Sequence, residues 1–470
     1  MKNTLLATAI AAVLALSATD ASAQSKGAAT KSELAAMQAQ MAALAERLNR
    51  LEASNTALQA ENAELKATVE RRDAETDYLK AQTRELREES AVASNELSKV
   101  KGADWATKIK LRGDLRYRHE SIDTERVVSG EAEDAADRYR HRIRARFGVD
   151  AKVTDNVTAA LLLATGGDDP RSSNQTLGSS GTRKSIGVDM AYVDWKFMQG
   201  GNGVLGKQPW SMWRPGQSLF FDGDYNFEGG AVKFDRGMFF GTAYGMWLTE
   251  NYNANPDSEN ADAGVFGLQA GLRFPLFGGE TRIAANYYDC GACQDHSPIY
   301  ANSTNGNTAY TIAGDFVSGT TLRNYLEYDY EVLDIGAQVG TMIGELPFTV
   351  WANYAQNMAS GVEYDTAYAA GFTLGKAGNP RTWEAGAFYQ SLDKDALYAQ
   401  MIDSDFGNGN TDTEGWVLKA GYAPVKNITL NATYFINTLN KDVAPVSGPT
   451  YEIGKDLDYN RLQLDVNYKF

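Results

Sequence analysis

The chain has 470 residues, with 45 Lys+Arg against 60 Asp+Glu for a formal net charge of −15, 44 Gly, 24 Tyr and two Cys. Its mean hydropathy is −0.39, and only the extreme N-terminus carries an apolar run suited to a helical membrane segment, which excludes a polytopic helical membrane protein. Two cysteines exclude a disulfide-dense scaffold, and the acidic balance argues against a protein that coats nucleic acid.

Residues 1–23 combine Lys2, an apolar stretch from Leu5 to Leu16 and small residues at Ala21 and Ala23. That pattern predicts a secretory signal peptide cleaved before Gln24, its apolar core being too short for a comfortable bilayer anchor.

Residues 24–104 form the second segment. From Leu34 apolar residues step alternately by three and four: Leu34, Met41 and Leu48 at a, Met37, Leu44, Leu51, Leu58 and Leu65 at d, and the phase holds without a stutter to Val100. A sustained heptad predicts a long α-helical coiled coil, so the chain associates; the alternative is a single amphipathic helix lying on its own barrel. A continuous helix over residues 34–100 would be roughly 100 Å long. Asn55 and Asn62 at a weaken the seam, help fix its register and favour two strands, so the heptads alone do not demand three.

After residue 105 the period becomes 2. At the C-terminus Leu462, Leu464, Val466, Tyr468 and Phe470 alternate with Arg461, Gln463, Asp465, Asn467 and Lys469. Tyr468 and Phe470 read as the aromatic signal that ends a barrel chain. Comparable segments lie near 107–118, 139–151, 157–165, 186–197, 203–209, 229–236, 238–248, 264–276, 280–289, 326–342, 346–357, 366–376, 381–390, 415–424, 426–437 and 459–470. Short turns such as 154–156, 236–237, 344–345 and 424–427 alternate with long polar loops near 119–138, 166–185, 210–228, 249–263, 290–325, 391–414 and 438–458. The expectation over 105–470 is an all-β transmembrane barrel of 16 antiparallel strands, with short turns and the preceding rod on the periplasmic side. A soluble sandwich or propeller explains single strands but not the alternating connections, export signal and aromatic C-terminus together.

Residues 164–178 (ATGGDDPRSSNQTLG), 190–195 (MAYVDW), 214–229 (RPGQSLFFDGDYNFEG), 328–332 (YDYEV) and 403–416 (DSDFGNGNTDTEGW) resemble the "putative porin" family of Gram-negative outer membranes, which is more distantly similar to phosphate-selective porins. The resemblance runs over residues 105–470. It implies a 16-stranded, trimeric diffusion channel and leaves the solute open.

About sixteen strands leave an aqueous lumen, so inward-facing side chains decide what passes. In the second strand Arg138, Arg140, Arg142, Arg144 and Arg146 share one face; in the first, Lys108, Lys110, Arg112, Asp114, Arg116 and Arg118 do. Arginine facing lipid near the midplane costs roughly 2 to 4 kcal/mol, so these faces are expected to form a basic lumen wall. The alternative is a ladder satisfied entirely by local carboxylates. The connection after strand five holds Trp210, Trp213, Phe220 and Phe221 with Asp222, Asp224 and Glu228. Folded inward, it would narrow the pore and set carboxylates against the arginines, giving a transverse field; alternatively it packs on a neighbouring subunit. Glu120, Asp123, Glu125, Glu131, Glu133, Asp134 and Asp137 make the first loop, and hence the mouth, acidic.

Cys290 and Cys293 suit a local disulfide in an exported loop; metal binding with His296 is the weaker alternative. Asp403, Asp405, Asn408, Asp412 and Glu414 have Ca²⁺-like spacing but lack the expected Gly, and read as a solvated acidic loop. With three histidines and no Ser-His-carboxylate constellation singled out, no catalytic site, cofactor or metal is expected. The expected location is the outer membrane with the rod in the periplasm. Expected partners are outer-membrane lipid and lipopolysaccharide, further copies of the chain as a homo-oligomer (a trimer by the family resemblance), and peptidoglycan for the rod. A tether with little transport role is the alternative function.

Overall fold

The computed structural model describes residues 31–99, 108–128, 131–250, 262–300, 303–315, 320–441 and 456–470; the expected signal peptide lies outside them. Contacts divide the chain into two units on either side of residues 101 and 102.

The first unit holds α1 (Lys31–Lys99), one 69-residue helix. Leu44, Leu48, Leu51, Leu58, Leu65, Val69, Leu79 and Leu86, all seam positions of the heptad, are each at least half exposed. Among the described residues of this unit no second element covers the stripe.

The second unit is a closed barrel of sixteen strands: β1 (Ile109–Val128), β2 (Arg138–Lys152), β3 (Val157–Thr165), β4 (Ile186–Met198), β5 (Gly201–Pro209), β6 (Asn226–Arg236), β7 (Phe239–Thr249), β8 (Ala263–Leu276), β9 (Gly279–Gly291), β10 (Glu331–Ile343), β11 (Leu346–Asn357), β12 (Thr366–Gly375), β13 (Thr382–Leu392), β14 (Thr413–Val425), β15 (Ile428–Leu439) and β16 (Leu457–Lys469). Each pairs antiparallel with the next, and β16 pairs with β1 from Asp114↔Lys469 to Thr124↔Tyr459, which abolishes every edge. At the seam Phe470 exchanges backbone hydrogen bonds with Gly113, N–H to O at 3.1 Å in both directions. The Phe470 ring lies over the bare Gly113 Cα, where a side chain would collide with it.

The alternation sorts the faces as lipid outside and water inside require. Leu111, Leu115, Phe147, Trp195, Leu205, Val232, Phe266, Leu268 and Val466 are exposed on the outside, with Tyr468 and Phe470. Polar residues of the opposite parity, such as Gln269, Asn286, Asn353, Gln390 and Gln463, are buried inside.

Two connections differ from expectation. The stretch near 119–138, read as a loop, continues β1 to Val128 and returns through Glu131–Asp134, which pairs back on it. Its backbone pairs with β2 as far as Ile122, with β16 as far as Thr124 and then with the returning Glu131–Asp134, so acidic residues remain in the sheet. The stretch near 290–325 carries its own hairpin, Ala309–Asp315 with Thr320–Leu326, and β10 begins only at Glu331.

Candidate functional site

The throat is built from the β16–β1–β2 wall and two connections folded into the lumen. Even-numbered residues of β1 and β2 and odd-numbered residues of β16 point inward. Register places Arg116 opposite Arg144, Arg118 opposite both Arg142 and Asp465, and Glu120 opposite Arg140 and Gln463. Eight guanidiniums therefore share one wall: Arg112, Arg116, Arg118, Arg140, Arg142, Arg144, Arg146 and Arg461. Lys110 and Arg138 lie exposed near the strand ends, outside this cluster.

Carboxylates from three sources hold the wall together. Within the sheet, Arg112 pairs with Asp150 at 3.0 Å, Arg144 and Arg146 with Asp114 at 2.9 and 2.7 Å, and Arg118 grips Asp465 through Nε and Nη2 at 2.7 and 2.8 Å. Glu120, fully buried, accepts from Arg140, from Arg461 and from Gln463 Nε2 at 3.0 Å. This residue sits in the wall rather than in an acidic mouth. From the first inward connection Asp224 meets Arg144 at 3.3 Å and Arg146 at 3.6 Å. From the second, Asp405 meets Arg118 at 2.9 Å and Arg461 at 2.8 Å.

The first connection, residues 210–225, crosses the lumen along the far wall. Trp213 N–H donates to Gln269 of β8 at 2.7 Å, Gly216 N–H to Gln338 of β10 at 2.8 Å, Ser218 Oγ bonds Asn353 of β11 at 2.7 Å, and Leu219 N–H donates to Gln390 of β13 at 3.1 Å. Phe220 and Phe221 are buried in one apolar cluster with Tyr288, Trp351 and Phe388. The barrel interior on the β6–β13 side is thus filled with aromatic packing, worth about 1.5 to 3 kcal/mol per large side chain.

Of the three acidic residues expected on this connection, only Asp224 reaches the arginines. Asp222 accepts backbone N–H groups of Ser404 at 2.9 Å and Asp224 at 2.6 Å. Burial, reinforced by the neighbouring Asp403, pushes its carboxyl well above the usual range. Glu228 lies already in β6, on the outward face with exposed Val232 and Phe234, and pairs with Lys207 at 2.9 Å. Strand parity excludes it from the lumen.

The second connection, residues 393–412, corrects the reading of a solvated acidic loop. Leu397, Tyr398, Met401, Ile402 and Phe406 are buried in the same cluster, and Asp412 is buried with them. Neighbouring connections pin it: Asn307 Nδ2 donates to Lys394 and Leu397 carbonyls at 2.9 Å, and Arg171 Nη1 donates to the carbonyls of Ala399 and Gly409 at 3.1 Å. For Asp405 burial opposes ionisation, but Arg461 and Arg118 outweigh it and hold the carboxyl below its usual range. The apolar residues were the signal for this loop, masked in sequence by its aspartates. Arg461 and Asp465 had a clearer signal: they stand on the polar face of the last strand, which closes against the first.

Between wall and loops lies a cavity of about 200 Å³, lined by Arg116, Arg118, Asn174, Asp224, Asp405 and Lys419 among others. Cys290, at the end of β9, is bonded to Cys293 in a disulfide, Cα atoms 5.5 Å apart; His296 bonds Thr249 and the Ser297 carbonyl instead. Among the described residues no group of three or more His, Cys, Asp or Glu stands where a metal ion would be held.

The family model described as "Putative porin" matches residues 124–319 and 348–470. The chain belongs to the "Putative porin" family. This porin also matches solved structures of outer-membrane barrels. A loop-deletion mutant of Vibrio cholerae OmpT is 15% identical with a TM-score of 0.43, covering 77% of this chain and 99% of that one. Pseudomonas putida OprB is 11% identical with a TM-score of 0.45, covering 78% and 95%. A Rhodopseudomonas blastica porin triple mutant is 13% identical with a TM-score of 0.39, covering 77% and 100%. None of the curated proteins matches. The family match and the closed barrel of sixteen strands make it a porin of the outer membrane.

Proposed function

We propose that the barrel is a water-filled diffusion channel for small hydrophilic solutes and ions. The observation that carries this reading is the throat: eight guanidiniums on one wall, met by Asp224 and Asp405 from two connections that leave a polar cavity against that wall. Charges of both signs lining a narrow passage set up a local field, which favours small polar or charged solutes over apolar ones. The exposed seam of α1 supports a coiled coil on the periplasmic side, binding copies into a homo-oligomer, a trimer by the family resemblance. Current recorded across planar bilayers containing the folded protein tests the channel: discrete, stable steps are expected, and their absence sinks it.

A further inference from the structure

Six of the eight wall guanidiniums have a carboxylate oxygen within 3.0 Å. Arg116 and Arg142 do not. Arg142 reaches Glu120 only at 3.8 Å, and that carboxylate already serves Arg140 and Arg461. Among the described residues Arg116 forms no ion pair; its hydrogen bond goes to Asn174 Oδ1 at 2.6 Å. Arg142 turns to the same segment, donating to Ser172 Oγ at 3.2 Å and to the Asn174 carbonyl at 3.4 Å. Both arginines also keep a buried Nε–H without a partner.

These two residues are diagonal neighbours on the inward face, a placement that sets them about 7 to 8 Å apart. Two like charges so close, each with an unused donor, are costly in a partly desolvated site unless something negative comes between them. The acids nearby make their direct contacts with other groups. Asp224 and Asp405 are each shared by two other arginines, while Asp222 and Asp403 take backbone N–H groups. Lys419, across the cavity, rests over the Phe388 ring at 5.3 Å and adds a third cation.

We propose that Arg116 and Arg142, converging on Asn174, form a dwell site for small oxyanions in transit, carboxylates or phosphate, whose paired oxygens take the guanidinium N–H groups. The site deepens the channel reading and rests on it for its role in transport, though binding itself does not require conduction.

The test uses the full chain, with acetate and inorganic phosphate as probes. Calorimetry on the folded protein in detergent should show saturable binding of at least one probe, weakened about tenfold or more in R116Q/R142Q, as losing a charge-assisted hydrogen bond predicts. In bilayers the same probe should block chloride current saturably, with a matching rise in half-blocking concentration. The R273Q variant, which alters an exposed pair with Asp235, should bind as the parent does. The milder R116K, which keeps the charge but loses the fork, should weaken binding if the double variant does not fold. Absence of binding, or binding unaltered in R116Q/R142Q, overturns the site. Binding without any conductance upholds the site and sinks the channel instead. Acetate binding identifies a carboxylate site, phosphate binding alone a tetrahedral one, and either supports the proposal.

Discussion

Glu120 is fully buried and accepts hydrogen bonds from Arg140, Arg461 and Gln463, with Arg118 at 3.6 Å. Neutralising it would strand several guanidiniums in a low-dielectric wall, and breaking a buried pair in this way typically costs about 3 to 5 kcal/mol. The variant E120Q should therefore unfold at clearly lower urea in detergent, and an unchanged midpoint would show that the wall does not depend on this carboxylate. In the sequence Glu120 looked like the first acid of an exposed loop. Its inward parity with Asp114, Arg116 and Arg118 was legible, but its place depends on how far β1 continues, which local patterning does not mark. The same limit explains Glu228, whose distance from the loop was misjudged by the few residues that carry it into β6.

At the level of elements, the two lumen connections are held in different ways. Residues 210–225 depend on close backbone approach at Gly216, whose φ is +50° and whose Cα faces the Trp351 ring so tightly that a Cβ would lie 2.1 Å from it. The variant G216V should lift this connection off the far wall, at a cost above the roughly 1 kcal/mol of the backbone conformation alone. Single-channel conductance should rise or become heterogeneous, and a conductance identical to the parent's would mean that this connection does not border the passage. Residues 393–412 depend instead on Asp405 and on their own apolar side chains. The aromatic content of the first connection was visible in sequence as a reason to fold inward. The second was not recognised, because Asp403, Asp405 and Asp412 suggested solvent while the partners of Asp405, Arg118 and Arg461, stand on the first and last strands, far from it in sequence.

Across the whole molecule the barrel was highly legible, because lipid on one side and water on the other impose the period of 2 on every strand, and because turns and long connections alternate. Low mean hydropathy is the natural result of such a barrel joined to a polar helix. The helix itself carries a separate expectation: removing residues 31–99 should reduce cross-linked oligomers of the folded protein, and an unaltered oligomer would assign association to the barrel alone. The net charge of −15 conceals a wall of opposite sign, and the central claim is that solutes pass along that wall, past the two inward connections pinned to it. Reversal potential across a planar bilayer under a KCl gradient tests it most directly, comparing the parent with R142E. Discrete channels whose selectivity shifts towards cations in the variant are predicted; channels with the same reversal potential in both would place the passage elsewhere and contradict the account.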